Sequence, residues 1–408
     1  MRIGFDGSCL ANRRGFGRFA RQALQALAAS GSPHQYVVIV DRPSLGSVTV
    51  PEGCEVVPVE VAEAPSVAAS STGRRRLGDM LAMGRASARS GLDLMYFPAS
   101  YSFFPVWNVG RVVVTMHDTL AMANPSLVFP NWKGRAAWTL KEHAASLWAD
   151  AVVTVSESAR RDLIAWFRLP ESRVRVVSEG PEAVFGPRPH GETSDGVLAR
   201  YGIDPRGRFL LYVGGLSPHK NLPRLIEGFA TSDLARDGVT LAIVGDKGDV
   251  FHTHFPELEA VAERQGVSGS VVFTGFVPDE DLVYLYNRCE ALVQPSLAEG
   301  FGLPPVEAMA CGAAIVASTA GSLPEVVGDA GLLFDPTDVA GLADCLRRVV
   351  LDPGLRLVLR AKARERATLY SWEETAEGLL DVFESLAPRR ERRHDDRAEG
   401  PGRWRRSA

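Results

Sequence analysis

QPSLAEGFGLPPVEAMACG, residues 294–312, is the stretch from which the rest of the chain can be read. Apolar residues that end a strand (Ala291, Leu292, Val293) run into Pro295 and Ser296, then a loop with Gly300 and Gly302, then two prolines and a helix-forming run at 306–310. Pro304 or Pro305 suits the first turn of that helix, because proline's φ is already helical and its missing N–H would have been unpaired there. The loop therefore feeds a helix N-terminus, whose unpaired N–H groups and partial positive charge suit phosphate. Glycines ahead of it let a ligand approach where a Cβ would block the way. Glu299 precedes the turn, and Glu307 follows eight residues later, expected in the helix's first turn. Ionised carboxylates only accept hydrogen bonds, and sugar hydroxyls donate them. Phosphate beside carboxylates points to a ligand with both groups, such as a nucleotide sugar. The plainer alternative is that Glu307 complements the helix dipole and Glu299 is solvated.

The chain around this stretch has 408 residues, enough for two domains with separate cores. It is 46% apolar and 23% charged with net charge −4, a soluble globular composition that gives no electrostatic reason to bind nucleic acid. Five scattered cysteines (Cys9, Cys54, Cys289, Cys311, Cys345) form no C-x-x-C and indicate reduced thiols in a cytoplasmic protein. No signal peptide is evident, and no apolar run nears the roughly 18 residues of a membrane span.

Short apolar runs at 37–40, 55–59, 92–97, 111–117 and 150–156 alternate with helical patterns. Such alternation indicates a parallel sheet covered on both faces, with ligands at the carboxyl ends of its strands. His117 and Asp118 stand at one such end. The first strand, RIGFDGSC at 2–9, leads through ANRRGFGR to a helix expected over 19–29, with Gly15, Gly17 and Arg18 between them. A dinucleotide fingerprint would need a third glycine where Ala20 stands, so NAD is excluded. Residues 178–206 are rich in Gly and Pro and read as an interdomain linker. The βα alternation then restarts with RFLLYVGG and GGLSPHKN, where Gly214 and Gly215 end a strand and Lys220 opens the next helix. Lysine there places a point charge on a diphosphate. The chain holds five lysines against forty arginines, which gives the choice at 220 some weight.

EGFGLPPVE followed by AMACG closely resembles the donor-site motif, Glu-x7-Glu, of retaining glycosyltransferases of family 4. The resemblance covers the chain to about residue 386 and implies an α/β fold of the GT-B kind: two Rossmann-like doubly wound parallel-sheet domains facing across a cleft. It implies an acceptor-binding domain at 1–185, a nucleotide-sugar domain at 195–370, a final helix at 371–387 crossing back to the first domain, and an arginine-rich tail at 388–408 expected to be disordered. The implied donor contacts are Glu307 with the ribose, the Phe301, Gly302 and Leu303 amides and Lys220 with the diphosphate, and Glu299 with the sugar. Gly214, Gly215 and Gly300 line the same site, and Gly275 and Phe276 border the nucleobase. His117 matches the family's first-domain histidine against the transferred sugar. Gly15, Gly17, Arg18 and Asp118 face the acceptor, with Arg18 available to an anionic group. Many members have arginine where this chain has Gly215, and some have it where His219 stands. The phosphate charge is then met by Lys220 and backbone N–H groups, or with help from Arg18 or His219.

The implied reaction is retaining transfer of a hexosyl group from a GDP-, UDP- or dTDP-linked sugar to an acceptor hydroxyl on a saccharide, a lipid-linked molecule or a small natural product. Asp279-Glu280-Asp281 spells the D-x-D metal motif of the other main glycosyltransferase fold, but it opens a helix, so Asp279 is expected to be an N-cap and no metal or other cofactor is expected. Two alternatives are a noncatalytic nucleotide-sugar-binding subunit and another GT-B enzyme such as an epimerase. Lys247 is read as equally suited to the nucleotide pocket and to a surface turn, and His252 and His254 as loop features. RRRLGDMLAMGRASAR at 74–89 is expected to be a helix covering the sheet, with peripheral membrane contact as the alternative. SLVFPNW at 126–132 reads as a loop near the cleft mouth.

Overall fold

The computed structural model of the chain describes residues 1–12, 15–62, 76–125, 132–246 and 255–387. The readings of Lys247, His252, His254, most of the 126–132 loop, Arg74 and the 388–408 tail lie outside these residues.

The N-terminal half holds a seven-stranded sheet: β1 (Arg2–Asp6), β2 (Gln35–Asp41), β3 (Glu55–Val59), β4 (Leu94–Phe97), β5 (Arg111–Thr115), β6 (Ala151–Thr154) and β7 (Val174–Val176). Its order is β3-β2-β1-β4-β5-β6-β7, all parallel. The C-terminal half repeats the plan with β8 (Arg208–Val213), β9 (Val239–Val244), β10 (Val271–Gly275), β11 (Ala291–Gln294), β12 (Ala314–Ser318) and β13 (Gly331–Phe334), in the order β10-β9-β8-β11-β12-β13. Each sheet changes direction beside its first strand, where Ile3 pairs with both Tyr36 and Leu94, and Leu210 with both Leu241 and Ala291. Such a switch point leaves a crevice at the carboxyl ends of the strands. These are the two Rossmann-like sheets of a GT-B fold.

Burial explains why the strands read as unbroken apolar runs. One face of the first sheet buries Val37, Ile39, Phe97 and Val114, and one face of the second buries Leu210, Ile243, Val293 and Val316. A third apolar cluster runs from Phe5 and Tyr96 through Trp372 and Phe383 to Phe209 and Leu292, so it joins the two halves. The last helix, Trp372–Ser385, makes that join. Ser371 caps it by accepting from the Glu374 N–H at 3.1 Å, Trp372 packs edge-on against Phe19, and Phe383 packs against Tyr96. The Leu77–Arg89 helix buries Met83 against the first sheet, the covering arrangement expected for it.

Three boundaries differ from the sequence reading. The first helix spans Gly15–Ala29, so Gly15, Gly17 and Arg18 lie in its opening turn rather than in a preceding loop. The 178–206 stretch contains a helix, Glu192–Arg200, started by Ser194, whose hydroxyl exchanges hydrogen bonds with the backbone of Gly191. The helix after the organising loop spans Leu303–Ala310, which puts Glu307 in its second turn. Among the described residues, no helix is long and apolar enough to cross a membrane.

Candidate active site

The 294–312 stretch leaves β11 at the switch point of the second sheet, and the residues after β8 lie beside it. Gly302 caps the Leu303–Ala310 helix with φ +99°, a left-handed conformation that glycine adopts without the penalty of a Cβ. Pro304 and Pro305 have no N–H, so the helix's four free N-terminal donors reduce to Gly302 and Leu303. A phosphate bound at this terminus has those two amides as its helical donors, with the Phe301 amide just ahead of them.

Glu299 is held within the C-terminal half. Lys220 Nζ reaches its two carboxylate oxygens at 2.7 and 2.8 Å, and Oε1 also accepts from the Ser296 hydroxyl at 2.6 Å and from Gln294 Nε2 at 2.8 Å. Burial alone would raise its pKa, but Lys220 and the Ser296 hydroxyl outweigh burial and hold the carboxyl below the usual range. His219, next to Lys220, is pushed down to about 4 by burial and then by the Lys220 charge. With no phosphate beside it, His219 is therefore neutral near pH 7.

Glu307 is held from the opposite half. Its carboxylate accepts from the guanidinium of Arg18, on the first helix, and from the Tyr286 hydroxyl at 3.0 Å. Arg18 also contacts Asp279 at 2.6 and 2.7 Å and Glu182 at 3.1 Å, and its guanidinium carbon is 6.0 Å from the centre of the Phe185 ring. Asp279 is thus the first residue of its helix and a partner of Arg18; the N-cap position belongs to Pro278. Asp281 turns to Arg200 and Tyr201 instead. Burial raises Glu307 to about 7 despite Arg18, and the Asp279 and Glu182 carboxylates push it the same way. For Arg18, the three carboxylates outweigh burial and raise the pKa further above its ordinary value.

His117 is buried. Its ring lies against Phe16 and Phe19, with centroids 4.9 and 4.8 Å away. Nε2 lies 3.0 Å from the Pro98 carbonyl, which can only accept, and Nδ1 lies 3.4 Å from Glu179. The opposite half meets the backbone here: a Cβ on Gly300 would lie 2.6 Å from the His117 carbonyl oxygen and 3.2 Å from the Asp118 Cβ. Gly300 therefore admits the other half of the protein. Asp118 is half-buried, desolvation raises its pKa, and it accepts from the Leu120 amide at 2.8 Å. Gly17 is also a packing residue, since a Cβ there would overlap the Asn12 carbonyl, while Gly15 faces open space. Gly275 ends β10, and Phe276 beyond it is 72% exposed, leaving a ring face open to stacking.

Two further contacts tie the halves together. The Ser156 hydroxyl, which caps the Glu157–Phe167 helix, donates to the Gly300 carbonyl at 2.6 Å. Glu325 spans the same helix end, accepting from the Glu157 and Ser158 amides at 2.9 and 3.1 Å.

Two parallel sheets with their switch points opposed, a lysine–glutamate pair at one and an arginine at the other, define an enzyme architecture that known proteins share. The family described as Glycosyl transferases group 1 matches residues 198–366, and the one described as Glycosyl transferase 4-like domain matches residues 14–180. The O-antigen chain mannosyltransferase B of Escherichia coli is 32% identical over 290 residues, 70% of this chain and 73% of that protein. The chain belongs to the group 1 glycosyl transferases. A second relative, the serotype-specific mannosyltransferase WbdA of Escherichia coli, is 32% identical over 286 residues, 68% of this chain, and the chain spans 34% of its length. Among solved structures, sucrose-phosphate synthase from Thermosynechococcus elongatus superposes with TM-score 0.75 at 21% identity, over 95% of this chain and 99% of that one. This glycosyltransferase thus matches family models in both halves of the fold.

Sequence reasoning missed Glu179, Glu182 and Tyr286. The two glutamates lie in a Gly- and Pro-rich stretch read as a connector, and Tyr286 lies in an amphipathic helix where periodicity marks it only as core. The described structure also holds a cavity of about 680 Å³ between the N-terminal half and the final helix and one of about 540 Å³ on the N-terminal half, neither lined by Glu299, Glu307 or Lys220.

Proposed function

We propose that this glycosyltransferase moves a hexosyl group from a nucleoside diphosphate sugar to an acceptor hydroxyl, with retention at the anomeric carbon and without a metal ion. The observation that carries the reading is the placement of Glu299, Lys220, Glu307 and the Gly302 and Leu303 amides around one helix N-terminus at the switch point of the second sheet. In this reading Glu307 accepts from the ribose, Lys220 and the two amides meet the diphosphate, and Glu299 accepts from the sugar. Phe276 and Gly275 border the base.

As the anomeric bond breaks, negative charge grows on the leaving diphosphate. A lysine and two amides fixed in advance stabilise that charge more than the ground state, which lowers the barrier. Lys220 is already oriented by Glu299, so little reorganisation is required. The acceptor enters from the first sheet, where Asp118 stands at the carboxyl end of β5 and the His117 backbone meets Gly300. The raised pKa of Asp118 suits a group that takes a proton from a hydroxyl late in the reaction. Both named relatives are mannosyltransferases, which makes GDP-mannose the first donor to try.

The test is a panel of GDP-, UDP- and dTDP-linked hexoses with purified protein in the presence of EDTA, reading nucleoside diphosphate release and the anomeric configuration of the product. Release from one donor, abolished by Glu307→Ala and by Lys220→Ala, supports the reading. Release that depends on a divalent ion, or a product of inverted configuration, removes the corresponding part of it.

A further inference from the structure

Glu307 is 1% exposed, so a ribose cannot reach it in the described arrangement without displacing something. One of its oxygens belongs to Tyr286 of the same half, a neighbour 21 residues away in sequence. The other belongs to Arg18, which enters from the opposite half and is 21% exposed. Arg18 is the movable cover. It is a long side chain in the first turn of a helix, held at its far end by Glu307, Asp279 and Glu182.

The charge balance gives it somewhere to go. Three carboxylates face one guanidinium, and Arg21, the next basic residue on the same helix, is committed to the carbonyls of Leu10 and Asn12. A diphosphate arriving at the Gly302 and Leu303 amides adds further negative charge to this acidic cluster. Leu303 and Glu307 are four residues apart on one helix, roughly 6 Å along its axis, within the reach of an arginine side chain. Guanidinium also binds phosphate bidentately, which no other side chain positioned here can do.

Resting on the donor assignment above, we propose that Arg18 is a displaceable cation at the nucleoside end of the site: it covers Glu307, the ribose takes Glu307 from it, and the freed guanidinium moves to the diphosphate. A nucleoside alone must then break the Arg18–Glu307 pair with nothing in return, whereas a nucleoside diphosphate supplies the replacement partner. Arg18 therefore selects for the diphosphate and fills the gap left by Gly215.

The experiment is calorimetric binding of guanosine, uridine and thymidine and of GDP, UDP and dTDP to the native full chain, to Arg18→Gln and to Asp279→Asn. For the base that the native protein accepts, Arg18→Gln is expected to bind the nucleoside about tenfold more tightly and the diphosphate about tenfold more weakly. Asp279→Asn loosens the hold on Arg18 without removing it and is expected to tighten both; it also covers the case in which Arg18→Gln fails to fold. Native protein that binds a diphosphate, combined with variants in which nucleoside and diphosphate weaken together or do not change, overturns the role of Arg18 alone. Native protein that binds none of the diphosphates overturns the donor assignment and the inference with it.

Discussion

Glu299 and Glu307 lie eight residues apart on one loop and helix, Glu307 buried and Glu299 nearly so, and each faces a cation, yet their environments shift them in opposite directions. Glu299 is lowered because its cation, Lys220, comes from the same half and is joined by the Ser296 hydroxyl, with no other carboxylate in direct contact. Glu307 is raised to about 7 chiefly by burial, to which the charges of Asp279 and Glu182, sharing its cation, add. One pair is fixed before any substrate arrives. The other is a contact across the cleft, strained by like charges. The difference suggests a division of labour in which the Glu299–Lys220 pair provides preorganisation and the Glu307–Arg18 pair responds to the ligand.

The sharpest break of this comparison is Lys220→Ala. It removes the charge expected to meet the leaving diphosphate and leaves Glu299 buried without its cation. Loss of one preorganised donor of this kind costs on the order of 100-fold or more in kcat. Steady-state turnover with the accepted donor, alongside a melting curve to check folding, measures it, and a fall of less than about tenfold would remove Lys220 from the transition state.

Glu307→Gln is expected to act on the other side of the balance. A hydrogen bond to a charged group contributes about 1.5–3 kcal/mol, so its loss should raise the donor KM roughly 10- to 100-fold. Because the ribose takes no part in the chemistry, kcat should stay within a few fold. A drop in kcat with an unchanged KM would instead place Glu307 at the reacting centre.

A smaller effect follows from pH. Glu307 is protonated below about 7 and ionised above it, and only the ionised form accepts from both ribose hydroxyls. Donor KM should fall as pH rises from 6 to 8, by about tenfold at most, and the dependence should vanish in Glu307→Gln. Stability runs the other way. A carboxyl whose pKa rises on folding contributes stability that is complete below its unfolded value of 4.5 and is lost as pH rises through about 7. Glu299, shifted down, is ionised throughout this window and leaves the profile flat.

The same contrast explains what the sequence revealed. Strand positions were legible because both faces of each sheet are covered, which leaves unbroken apolar runs such as residues 111–115 and 208–213. Glu299 and Lys220 were each picked out because they follow adjacent strands at one switch point, where ligand chemistry is expected, but their contact with each other was not read. The Arg18–Glu307 contact joins residues 289 apart in different halves, and no periodicity or spacing encodes it. Gly15 and Gly17 hid the true start of the first helix, because glycine is a poor helix former and its packing against Asn12 is a tertiary effect. Glu179 and Glu182 were hidden by the glycines and prolines around them, which made a site-lining segment read as a tether.

The smallest expected effect concerns Glu325, which belongs to neither pair but bears on how the halves meet. Its carboxylate accepts from the first two amides of the Glu157–Phe167 helix across the cleft, where the helix dipole favours a negative charge. An exposed contact of this sort contributes about 0.3–1 kcal/mol, so Glu325→Ala should lower the melting temperature by no more than about 3 °C. Hydrogen exchange should quicken at the Glu157 and Ser158 amides, while Ala159, whose N–H is held by Ser156 within its own helix, should change little. If diphosphate binding depends on how the halves meet here, Glu325→Ala should also weaken donor binding a few fold and leave nucleoside binding untouched. Equal weakening of both would mean that Glu325 shapes the site itself, and no weakening would leave the Ser156–Gly300 contact and the final helix as what holds the halves together.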